Sequence, residues 1–209
     1  TDAGAVTGDL PTTESKESAV KVGVLAVQGD FEAHARVLEH LGADWVYVRR
    51  PEQLAEVDGL ILPGGESTTH LKFLEGEGFA EAIRTLHAQG KALFGTCAGA
   101  ILLAAEVTAP PQPALGLVDV TIERNAYGRQ MQSAVRQGRS VLKDGPVEMV
   151  FIRAPIIRRV GASVKVLGEC EGLPVGVEQG SCLLTTFHPE LTSDTTFHKH
   201  FLAKLSDGG

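Results

Sequence analysis

Cysteine, large aromatics and positive charge are all scarce in this 209-residue sequence, which has three Cys, one Trp, two Tyr and 19 Lys and Arg against 26 Asp and Glu. Cys97, Cys170 and Cys182 form no CxxC pair and no even framework, which argues against a disulfide scaffold and for a reducing compartment. The basic residues are scattered and the formal net charge is −7, so no electrostatic footprint for a phosphate backbone is visible. No apolar stretch approaches the roughly 18 residues that a membrane span requires, and the first residues lack the basic-then-apolar order of a secretory signal. The expectation is a cytoplasmic protein with neither a nucleic-acid nor a membrane partner.

What remains is ordinary globular composition, 43% hydrophobic and 22% charged. Residues 1–20 carry Thr, Ser, Gly and acidic residues without periodicity and are expected to form a mobile tail. Residues 21–209 are expected to form one domain, large enough to bury an ordinary core. Short β-rich runs begin at Val22, Trp45, Gly59 and Ala92. They alternate with helical spacings at Phe31, Ala35, Leu38 and Leu41 and through Phe79–Ala88. That alternation implies an α/β fold of three layers, α/β/α, around a mostly parallel, doubly wound sheet. Strand-like runs at Val118–Ile122, Val147–Ile152, Val164–Leu167, Pro174–Val177 and Cys182–Thr186 have little helix between them and predict antiparallel additions. Phe197, Phe201, Leu202 and Leu205 predict a closing amphipathic helix.

Gly95-Thr96-Cys97-Ala98-Gly99 lies between an apolar strand and an apolar helix. It has the form of a nucleophile elbow with sulfur in place of the serine oxygen. Side chains at Gly95 and Gly99 would collide with backbone in so tight a turn. A helix that starts at the cysteine offers unpaired N–H groups to a thiolate and to a developing oxyanion, with Ala98 N–H the expected donor. The bland alternative, a small buried hydrophobe, fits most free cysteines but leaves the two glycines unexplained.

A cysteine nucleophile needs a base and a group to orient the base. Phe187-His188-Pro189-Glu190 supplies both, since residues two apart on an extended chain point to one side. Leu62-Pro63-Gly64-Gly65-Glu66-Ser67-Thr68 opens a glycine-rich loop at the end of a buried strand. It lacks the lysine of a phosphate loop, and Gly65 N–H is a candidate second oxyanion donor. His198-Lys199-His200 has the look of a metal pair, but residues two apart on a helix diverge, so no metal is expected there.

These three segments resemble the glutaminase subunits of pyridoxal 5′-phosphate synthase, a class I glutamine amidotransferase family of flavodoxin-like fold. Val24-Leu25-Ala26-Val27-Gln28-Gly29, the run from Glu123 to Gln130, Phe151-Ile152-Arg153-Ala154-Pro155 and Glu178-Gln179-Gly180 extend the similarity over about residues 21–205. Residues 1–20 lie outside it. The resemblance implies a Cys97, His188, Glu190 triad that hydrolyses L-glutamine without metal or cofactor. It places glutamine against Gly65, Glu66, Ser67, Arg124, Ile152 and Arg153. It also implies a (β/α)₈-barrel synthase partner in a 12+12 complex. A glutaminase subunit of another class I amidotransferase, or a cysteine hydrolase on the same fold, is the alternative reading.

Overall fold

The structure, a computed structural model, describes residues 19–76, 78–125 and 133–206. Most of the expected tail, up to residue 18, lies outside the described residues, as does the run from Ala126 to Gln130. Five strands lie parallel, in the spatial order β2 (Asp44–Val48), β1 (Lys21–Leu25), β3 (Gly59–Leu62), β4 (Ala92–Thr96) and β12 (Cys182–Thr185). The same sheet continues antiparallel through β11 (Leu173–Gln179), β10 (Lys165–Cys170), β7 (Ser133–Ser140) and β8 (Pro146–Ile152). The antiparallel additions thus match the parallel part in number of pairings, a larger share than the sequence suggests.

Side chains alternate across the parallel half, as the strand period requires. Leu60, Leu62, Leu93, Cys182 and Leu184 enter a core covered by α2 (Ser67–Gly76), α3 (Phe79–Ala88) and α4 (Ala98–Leu103). Ile61, Phe94 and Leu183 enter a second core on the other face, under α1 (Phe31–His40) and α5 (Thr196–Ser206), where Phe187, Phe197 and Phe201 pack. Burial on both faces is why these strands read as continuous apolar runs. No helix of the described residues is long and apolar enough to cross a membrane.

A second, three-stranded sheet was not expected. It joins β5 (Ala104–Thr108), β6 (Val118–Glu123) and β9 (Ile156–Val160), and it carries Arg124 toward the carboxyl edge of the parallel strands. Backbone bonds from Arg124 N to Thr108 O (3.0 Å) and from Asn125 N to Ala109 O (3.2 Å) extend its β5–β6 pairing past the end of the strands.

Candidate active site

The carboxyl ends of β1, β3, β4 and β12 meet at one edge, where ligands gather in open α/β sheets. Cys97 follows β4 with φ 50° and ψ −107°, an unfavourable backbone for a side-chain-bearing residue. The turn is pinned from three sides. Cys97 N donates to Thr185 O at 2.8 Å, a Cβ on Gly95 would stand 2.6 Å from Gly99 O, and one on Gly99 would stand 2.0 Å from Leu62 O. The glycines therefore do what the sequence argument required of them, and the thiol is aimed out of the turn, 3.8 Å from Ile152 O.

His188 is buried beside it. Its backbone N–H donates to Val150 O at 2.8 Å, and its Nδ1 lies 2.5 Å from Glu190 Oε1. The pairing forms by another route than the extended one expected, because Pro189–Leu191 make a 3-10 turn that swings Glu190 under the imidazole. Cys97 and His188 line the same cavity, and the sulfur is close enough to act on the imidazole electrostatically. With Nδ1 committed to carboxylate, Nε2 is the nitrogen left for sulfur. Burial pulls the His188 pKa down, but hydrogen bonds with Asp30, Cys97 and Glu190, with the charge of Cys97, push it up to about 12. A protonated imidazole held against the thiol favours thiolate.

A cavity of about 350 Å³ opens in front of this pair. Gly65, Glu66, Ser67, Cys97, Ala98, Arg124, Ile152, Arg153 and His188 line it, with Ile101 and Asn125 in addition. Every residue the sequence named for the site is thus brought together except Glu190, which stands behind His188. Gly65 takes φ +149°, a conformation glycine tolerates. Glu66 is divided between two tasks. It accepts from Thr68 N and Thr69 N, capping the first turn of α2, and its Oε1 lies 3.7 Å from Arg124. Burial works against its ionisation, yet the bonds from Thr68 and Thr69 bring its pKa down to about 2. Arg124 is largely covered rather than solvated, whereas Arg153, held at φ 47°, is exposed at the rim. A surface depression of about 830 Å³ beside Lys143 and Asp194 is larger. It contains no cysteine, and Lys143 and Asp194 pair with each other at 2.8 Å.

A profile of the SNO glutamine amidotransferase family matches residues 24–207. The chain belongs to the SNO glutamine amidotransferase family. Within it, the chain is 53% identical over 189 residues to the pyridoxal 5′-phosphate synthase subunit PdxT of Koribacter versatilis, covering 90% of this chain and 97% of that one. It is 50% identical to the PdxT subunit of Deinococcus radiodurans, over 87% of this chain and 95% of its relative. A solved structure described as a glutamine amidotransferase superposes with TM-score 0.83 at 46% identity, covering 88% and 98% of the two chains. A glutamine amidotransferase from Thermotoga maritima, 15% identical with TM-score 0.60 and coverage of 90% and 84%, shares the fold.

Behind Cys97, His188 and Glu190 of this family member lies a polar cluster that the sequence reading missed. Asp30 Oδ2 is 3.2 Å from His188 Nδ1. His34, fully buried on α1, places Nε2 3.2 Å from Thr96 Oγ1 and 3.5 Å from Glu190 Oε2, while its Nδ1 meets His198 Nε2 at 2.9 Å. Asp30, His34 and Glu190 bring donor atoms within 4.8 Å of one another, close enough to suit a metal ion, but each is turned to a hydrogen-bonding neighbour in this cluster. His198 and His200 diverge as expected, the first into the core and the second to Glu178 Oε2 at 2.7 Å. Cys182 is core, and Cys170 is buried at the end of β10. The only clue to His34 is a histidine between Ala33 and Ala35 on the buried face of an amphipathic helix.

Proposed function

We propose that the chain hydrolyses L-glutamine to L-glutamate and ammonia through Cys97, His188 and Glu190, and supplies the ammonia to a synthase subunit that makes pyridoxal 5′-phosphate. The observation that carries this reading is the strained Cys97 elbow facing a buried imidazole, in a cavity rimmed by Arg124, Arg153 and Glu66. Glutamine has complementary chemistry: an α-carboxylate for an arginine, an α-ammonium for a carboxylate, and an amide that must reach sulfur. Ser67 and Ile152 line the same cavity.

In the proposed cycle, Cys97 thiolate attacks the amide carbon and the oxyanion rests on the N–H groups of Gly65 and Ala98. The His188 imidazolium gives its Nε2 proton to the departing nitrogen, which leaves as ammonia, and a glutamyl thioester remains. Neutral His188 then takes a proton from water, whose oxygen displaces the sulfur as glutamate forms. Neither step calls for a metal or organic cofactor. Ammonia is useful only if it is passed on before it is protonated in water, which supports a docked acceptor. We place that acceptor in the (β/α)₈-barrel synthase class, in a 12+12 assembly in the cytoplasm.

The test is incubation with glutamine and the synthase subunit, with glutamate measured. Release is expected from the parent chain and should fall by about three orders of magnitude or more on Cys97→Ala or His188→Asn. Equal turnover by those variants would overturn the mechanism.

A further inference from the structure

Asp is among the best residues for accepting hydrogen bonds from the first turn of a helix. Asp30 occupies that position before α1, yet its side chain makes no capping bond. The carboxylate is turned away, toward His188. The turn is forced by Gly29, at φ +86°, where a Cβ would stand 1.7 Å from Gly64 O. Gly64 in turn leaves room for the imidazole: a Cβ there would stand 2.5 Å from His188 Cε1 and 3.5 Å from Asp30 Oδ1. His188 Nδ1 therefore faces two carboxyl groups, Glu190 at 2.5 Å and Asp30 at 3.2 Å.

Asp30 and Glu190 each bring an oxygen within 4.8 Å of the other, and two carboxylates that close disfavour each other's ionisation. Which group keeps the charge is decided by solvation. The Glu190 side chain is wholly buried, while that of Asp30 is 26% exposed. We infer that Asp30 is a second carboxylate partner of His188 and the one that carries negative charge against its imidazolium, while Glu190 orients the ring and holds a proton. Asp30 is thus a positioning residue, acting through His188.

The electrostatics agree. Burial raises Glu190, Asp30 adds to the rise despite the opposing bond from His188, and its pKa reaches about 8. Burial works on Asp30 in the same sense, but its hydrogen bonds with His188 and Glu190 hold it well below the usual carboxylate range. The other groups facing the cluster are Cys97 from the elbow, His34 from α1, His70 from α2 and, behind His34, His198 from α5. His34, His70 and His198 are shifted downward by burial and stay neutral near pH 7, which leaves Asp30 as the negative charge on the Nδ1 side of His188, with Cys97 the other group whose charge raises it.

The inference takes the Cys97–His188 pair as proposed above, and its test does not depend on glutamine. The rate at which iodoacetamide alkylates Cys97 in the full chain, followed by peptide mass spectrometry across pH, reports the thiolate. Removing the charge on Asp30 weakens the imidazolium and so the thiolate. Asp30→Asn should move the midpoint of the profile up by about one pH unit. Asp30→Ser, which retains a helix-capping side chain, should move it equally, whereas Glu190→Gln should move it by less than half as much. Profiles of both Asp30 variants superimposed on the parent would overturn the inference, as would a larger shift in Glu190→Gln. Separated profiles in a protein that released no glutamate with its synthase would sink the glutaminase reading and uphold the role of Asp30.

Discussion

In the parallel half of the large sheet, β3, β4 and β12 are buried at every residue, whereas β7 and β8 in the antiparallel half alternate between covered and open positions. The first half holds the elbow, the base, the glycine-rich loop and the buried histidines beneath them. The second gives the site the Val150 carbonyl that anchors His188 N–H, together with Ile152 and Arg153 at the rim. Strands packed on both faces fix backbone to backbone. Strands packed on one face fix mainly their ladder. Reactive geometry that tolerates little error is accordingly built on the first kind, and the accessible rim on the second.

If that contrast holds, its largest consequence is at Gly99. A methyl group there meets the carbonyl of Leu62 and has nowhere to go, so Gly99→Ala should destabilise the chain by about 3 kcal/mol in urea unfolding. A loss below about 1 kcal/mol would mean the elbow is not held as rigidly as β3 and α4 imply. The contrast is sharpened next by pH. Burial lowers His34 from 6.5 to about 4, partly offset by the charge of Asp30, and lowers His198 as well. Between pH 6.5 and about 4 the unfolded chain binds protons there that the folded chain refuses, so these groups withdraw stability as pH falls. Glu190 works in the opposite sense, because its raised pKa favours the folded chain until pH climbs toward about 8. His34→Gln should therefore flatten the dependence of unfolding free energy on pH over the acid window by about 1.4 kcal/mol per pH unit. An unchanged slope would remove His34 from the account. The smallest effect belongs to the antiparallel half. Val135 is 65% exposed on β7, and Val135→Thr should change stability by less than about 0.5 kcal/mol. A larger cost would show that this face is packed more tightly than its alternation suggests.

The same contrast explains what could be read in advance. Strands β1, β3, β4 and β12 were legible as strands because burial on two faces demands unbroken apolar runs, although β12, expected as an antiparallel addition, runs parallel to β4, and the elbow was legible because its glycines are required by a local collision. Strand β7, Ser-Ala-Val-Arg-Gln-Gly-Arg-Ser, has no such signature, and its ladders with β8 and β10 make it a strand. Helix α2 was hidden behind a loop that drew attention for its glycines, although Glu66 is a recognisable cap for it. Asp30 was not legible at all, because the ring it faces lies 158 residues away and its position before a helix has a sufficient local explanation in capping.

Strand β12 comes long after β4 in the sequence, yet it lies beside it in the middle of the sheet, between β4 and β11. On the ribosome, Cys97 emerges long before the strand that closes the gap beside it and before His188. Until those residues clear the exit tunnel the sulfur has no base and its turn lacks the Thr185 carbonyl, so a truncated or half-made chain carries an ordinary thiol. Strand order in this fold delays the arming of the nucleophile until β12 and His188 have both been made.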